Sequence, residues 1–83
     1  MKLKEMYYKD PRVRDLTWEI DDLCWDSFLA RLFDPDETKL QLISDQRSAK
    51  IAELKSLLQS NASDLDLLLE IFALNREIIR ANI

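Results

Sequence analysis

Glycine and histidine are both absent from these 83 residues, and cysteine occurs once. Each absence removes a class of chemistry. Without glycine there is no Gly-rich loop to cradle a phosphate, no nucleophile elbow and no dinucleotide-binding turn. The tightest hairpin turns are disfavoured for the same reason. Without histidine the usual general base and the commonest zinc ligand are missing. A lone thiol, Cys24, closes no internal disulfide, and a reducing, cytoplasmic setting is the plain expectation. No apolar run approaches the roughly 20 residues that cross a bilayer. The opening MKLKEMYYKD has lysines but no apolar stretch behind them, so neither a secretory leader nor a membrane is expected.

What is present reads as a folded chain. Apolar residues make up 47% and charged residues 34%, a balance that supports a core rather than a disordered tail. The length sets a limit of one domain, with a modest core and a large share of its surface in water. Only two prolines occur, each preceded by aspartate: Asp10-Pro11 and Asp34-Pro35. Aspartate accepts from the orphan amides of a first helical turn, and proline suits the first helical position because its missing N–H has no partner there. The spacing predicts one helix over about 11–33 and a second over about 35–59, the latter supported by Glu37 as in a capping box. The connection is so short that the two fold back as an antiparallel hairpin. SNASD, residues 60–64, breaks the chain again, with Asn61 suited to end a helix and Ser63 to cap a third over about 63–81. Residues 1–10 form an N-terminal arm, in which Leu3, Met6 and Tyr7 can begin a short helix or lie over the bundle. The expected fold is all-α: a helical hairpin plus a third helix, a three-helix bundle doubled into a larger one by dimerisation.

The reason to expect a second chain lies in the last helix. Leu65, Leu68, Phe72 and Ile79 line one side of it. Leu67, Ile71, Leu74 and Ile78 line the other, at the 4-3-4 spacing of a coiled-coil seam. A helix apolar nearly all round is normally buried all round, and three short helices cannot cover both sides. The row Leu67, Ile71, Leu74 and Ile78 is therefore the expected interface, most simply with a second copy of the chain. Trp18, Trp25 and Leu29, on the outer edge of the first helix, are expected to join it as anchors. The other stripe of that helix, Val13, Leu16, Ile20, Leu23 and Cys24, belongs to the core. Cys24 sits there among acidic neighbours that raise a thiol pKa rather than activate it.

Charge is unevenly placed. Residues 1–14 carry five basic and two acidic side chains, residues 15–38 one basic and eight acidic, and the whole chain has a net charge of −4. Asp15, Glu19, Asp22 and Asp26 fall on one edge of the first helix, spaced as neighbours on successive turns. The row reads as a solvated face or, more sharply, as a docking strip for a basic partner. Arg47 interrupts the apolar stripe Leu40, Ile43, Ile51, Leu54 and Leu58 of the second helix. Its stem can cover the core with the head in water, or it can sit in a buried ion pair. No nucleophile, base and orienting group come together, and no catalytic, metal or cofactor residues are assigned. The expected function is non-catalytic: a small acidic helical homodimer acting as adaptor, chaperone or inhibitor of a second protein. The alternative is a regulator that binds RNA or DNA through a local basic patch at Lys2, Lys4, Arg12 and Arg14. It is disfavoured because no basic stripe with interleaved aromatics runs along the chain.

Overall fold

The structure is a computed structural model describing residues 2–82; Met1 and Ile83, the outermost positions of the expected domain, lie outside the described residues. The described chain is all-α, with four helices rather than three: α1 (Lys2–Lys9), α2 (Pro11–Phe33), α3 (Glu37–Leu58) and α4 (Asp64–Ala81). The added helix is the expected arm. Leu3 and Tyr7, one turn apart, are both buried, so α1 is a short amphipathic helix laid over the bundle.

The helix ends follow from local chemistry. Asp10 has extended backbone, its carboxylate accepts from the Arg12 N–H at 2.9 Å, and Pro11 occupies the first turn of α2. At the next Asp-Pro pair the cap lies two residues later than expected. Asp34 ends α2, its N–H donating to the Ala30 carbonyl at 2.9 Å. Asp36 is the residue that caps α3, accepting from Thr38 N–H at 2.9 Å and Lys39 N–H at 3.5 Å. Asp34 and Pro35 form the link, and α3 starts only after Asp36. The end of α3 also differs: Gln59, not Asn61, takes the left-handed conformation, at φ 52°. Its N–H reaches the Ser56 carbonyl while Ser60 N–H reaches that of Lys55, the paired bonds of a Schellman ending. Ser63 caps α4, its hydroxyl accepting from Asp66 N–H at 3.1 Å.

Helices α2 and α3 form the antiparallel hairpin. The core gathers at one end of it: Val13, Leu16 and Ile20 of α2 against Ile51, Leu54 and Leu58 of α3. Leu3 and Tyr7 close it from α1, and Leu67, Ile71 and Leu74 from α4. Thr17 is sealed in this core, and its hydroxyl donates to the Val13 carbonyl at 2.8 Å, so its polar atom is not stranded there. Trp18 lies half-buried beside it and donates its indole N–H to the Tyr7 hydroxyl at 2.6 Å, pinning α1 to α2.

The two sides of α4 are exchanged relative to expectation. Leu67, Ile71 and Leu74 are fully buried in the chain's own core and Ile78 is half-buried against it, so this row is no free surface for another chain. The opposite row is the open one: Leu65, Leu69 and Ile79 are exposed, and Leu68 and Phe72 are only half-covered. Both rows are apolar at helical spacing, and α1 helps to decide between them by adding cover on the Leu67 side. Trp18 likewise turns inward, whereas Trp25 and Leu29 remain exposed.

The far end of the hairpin has no such cover. The radius of gyration is 13.3 Å, against about 11.8 Å for a compact chain of this length. The accessible surface is 5740 Å², against roughly 5200 Å² for a compact monomer of this mass. Both excesses describe a fold with one end packed and one end projecting.

Candidate functional site: a groove between α2 and α4

Among the described residues, two concavities lie on the open part of the molecule. The first is a groove of about 430 Å³ between α2 and α4. Asp21, Cys24, Trp25 and Phe28 form one wall, and Phe72, Asn75, Arg76 and Ile79 the other. Trp25 and Phe28 meet edge to face, centroids 5.8 Å apart, so the α2 wall is an aromatic ledge. The second, about 550 Å³, lies at the hairpin tip between Leu29, Ala30 and Phe33 of α2 and Leu42 and Ile43 of α3, with Asp26, Asp34 and Lys39 at its edge.

Asn75 distinguishes the first. It is 4% exposed, yet neither its amide nitrogen nor its amide oxygen has a hydrogen-bond partner among the described residues. A buried polar group left unpaired costs about 1–3 kcal/mol. The adjacent carboxyl of Asp21 is pushed up by burial and by the Asp22 carboxylate, and proximity to Asn75 draws it partly back. That proximity stops short of a closed bond. Cys24, expected in the core, is half-buried in the groove wall. Its thiol is raised by burial, a rise opposed by the nearby Arg47 guanidinium, and it is protonated at neutral pH. Arg47 is half-buried and belongs to none of the ion pairs among the described residues; of its two sequence alternatives the buried ion pair is not formed, and its guanidinium lies near the Cys24 thiol. Among the described residues no three potential metal ligands converge.

The charged surfaces divide differently from the sequence expectation. Within the acidic row, Glu19 accepts from Lys50 at 2.9 Å and lies 3.9 Å from Arg12, and Asp15 lies 4.0 Å from Arg14. Asp22 and Asp26 join no ion pair among the described residues. The row is therefore two separate halves, one tied to neighbouring cations and one open. The basic segment is also engaged. Lys4 binds Glu77 of α4, and Arg12 grips Glu53 of α3 with two nitrogens, at 2.6 and 2.8 Å. That leaves Lys2 and Arg14 as the less encumbered cations of the expected basic patch. No helix of the described residues is long and apolar enough to cross a membrane.

Asn75 escaped the sequence reading because it lies between the two apolar rows. The signal is nonetheless in the spacing. Leu65, Leu68, Phe72, Asn75 and Ile79 follow one another at 3-4-3-4 intervals, a heptad seam with a single polar member. No protein-family model, no curated protein and no solved structure matches the chain.

Proposed function

We propose that the protein is a non-catalytic protein-binding module, an adaptor, chaperone or inhibitor whose working surface is the open face of α2 and α4 and the hairpin tip. One observation carries this reading: Trp25, Phe28, Leu29, Leu32 and Phe33 are all exposed within nine residues of one helix, at 45–80% of full exposure. Apolar side chains scattered singly over a surface are ordinary, but a contiguous row of this size marks a contact site. Covering each such side chain stabilises a complex by roughly 1.5–3 kcal/mol before the costs of association. Aromatic anchors beside a polar rim are also the usual anatomy of a protein interface. Asp22 and Asp26 supply such a rim and favour a partner with basic residues at its edge.

The test compares the wild type with the double substitution Phe28→Asp/Leu32→Asp, whose sites lie outside the core. The variant should keep its helical circular dichroism and lose binding, read as self-association by light scattering and as chains retained from a host extract. If the wild type stays monomeric to millimolar concentration and retains nothing that the variant loses, the reading fails.

A further inference from the structure

The net negative charge of the chain belongs to its projecting end. Between Asp21 and Asp45 seven acidic side chains stand against two basic ones, Arg31 and Lys39, whereas the rest of the chain has nine acidic and ten basic. That segment therefore carries −5 and the remainder +1. Pairing sharpens the contrast. Outside the segment, Glu19, Glu53, Asp64 and Glu77 are each bound by a lysine or arginine of another helix. Within it, Asp34 alone of the seven acids joins an ion pair among the described residues, with Lys39 at 3.9 Å. These acids border an apolar seat. The concavity at the hairpin tip has Leu29 and Phe33 for one wall and Leu42 for the other, all exposed, over the buried Ala30 and Ile43. Asp22, Asp26, Leu29 and Phe33 follow one another at 4-3-4 intervals. Carboxylates and apolar anchors thus share one strip of α2, about 16 Å long at the helical rise per residue.

Charge and shape together select the occupant. A second copy related by a two-fold axis would set this segment against itself, like charge facing like charge. A head-to-tail copy would have to bring a basic surface, and Lys4, Arg12, Lys50 and Lys55 are already taken by the chain's own carboxylates. Nucleic acid and an anionic membrane surface are repelled by the same charge. An extended peptide finds no sheet edge to join, because every element of the described residues is a helix. What fits is a helix with one apolar side and cations beside it. We propose that the hairpin tip is the docking site for a basic amphipathic helix of another protein, whose apolar side covers Leu29, Phe33 and Leu42 and whose lysines or arginines meet Asp22 and Asp26. The inference rests on the protein-binding reading and names its partner. The apolar seat supplies the affinity, and the acids steer the encounter and reject chains of their own sign.

The probe is a peptide of about five helical turns, with leucine at 3-4 spacing on one side and lysine flanking it. Two controls replace its lysines by glutamate or its leucines by serine. Titrated into the full chain, the lysine–leucine peptide should turn helical and shift the resonances of Leu29, Phe33 and Leu42, while the Leu54 methyls stay fixed. Each control peptide should bind roughly tenfold more weakly or not at all. Asp22→Lys/Asp26→Lys should weaken the lysine–leucine peptide roughly tenfold and flatten its salt dependence. Leu29→Ser/Leu42→Ser should weaken it by a similar factor with the salt dependence kept. All four sites are exposed, and circular dichroism checks that both variants remain helical. Equal binding of the lysine and glutamate peptides, shifts centred on another face, or an affinity unchanged in either variant overturns the inference. So does a lysine–leucine peptide that fails to bind. If the wild type then self-associates or retains a chain that Phe28→Asp/Leu32→Asp loses, the protein-binding reading stands without this partner. A monomer that binds no peptide and retains nothing ends both.

Discussion

Around Leu16 and Leu54 the hairpin is flanked by α1 and α4, whereas around Leu32 and Leu42 neither helix lines the surface. The same two helices, α2 and α3, thus live in two environments along their length. At the packed end Val13, Leu16, Ile20, Ile51 and Leu54 of the hairpin are all covered, and the sealed hydroxyl of Thr17 has its acceptor. At the projecting end, side chains as large as Phe33 face water. Helix formation itself needs no difference between the ends. Asp10 and Asp36 cap the two helices at opposite ends of the hairpin with equal economy. What differs is tertiary packing, which supplies most of a helix's stability in water. Stability should therefore concentrate at one end and contact at the other.

Substitutions can break that contrast directly. Ile71→Asp places a charge in the sealed end and should abolish the fold altogether, read as loss of a cooperative melting transition. Leu54→Ala and Leu67→Ala should each cost about 2–5 kcal/mol in denaturant titrations, while Leu32→Ala at the projecting end should stay within about 0.5 kcal/mol in the dissociated chain. Equal costs at both ends would mean that the tip is packed after all. A smaller change sharpens the role of α1. Tyr7→Phe removes the acceptor for the Trp18 indole and should cost about 0.5–1.5 kcal/mol. Because the loss falls on the joint between α1 and α2, amide exchange should speed up first in α1.

The smallest effect concerns pH. Arg12 holds the Glu53 carboxyl below its ordinary range, chiefly through their hydrogen bonds. A carboxyl lowered in the folded state contributes stability that is fully present above its unfolded value of about 4.5 and is lost as pH falls through the lowered folded value. The pair is exposed, so its share of stability is slight. The clean measurement is the Glu53 titration by carbon NMR, whose midpoint should return to the ordinary range in Arg12→Ala.

Much of this was legible in the chain. The Asp-Pro pairs announced two helices and the hairpin between them, because capping chemistry is local. Ser63 announced α4 in the same way. The choice of buried face on α4 was not legible, because two rows with the same spacing and comparable apolarity compete, and the decision involves α1, whose eight residues sit too close to the nucleation limit to be read from pattern alone. The site inherited that error in part: Leu67, Ile71 and Leu74 lie under the surface, Trp18 turns inward and Asn75 is missed, whereas Trp25 and Leu29 lie on the open edge where the sequence put them. Amphipathic periodicity reports which residues share a side, and is silent on which side another element will occupy.

Gln59 gives the absence of glycine a consequence. The chain must reverse hand at the end of α3 to send α4 back across the hairpin, and it does so with a residue bearing a Cβ, at a steric disadvantage of about 1–2 kcal/mol. The turn itself is held by the two cap bonds of α3, and the course of α4 beyond it by the burial of Leu67, Ile71 and Leu74. Gln59 is exposed, so glycine at this one position would relieve that disadvantage without removing a packed contact.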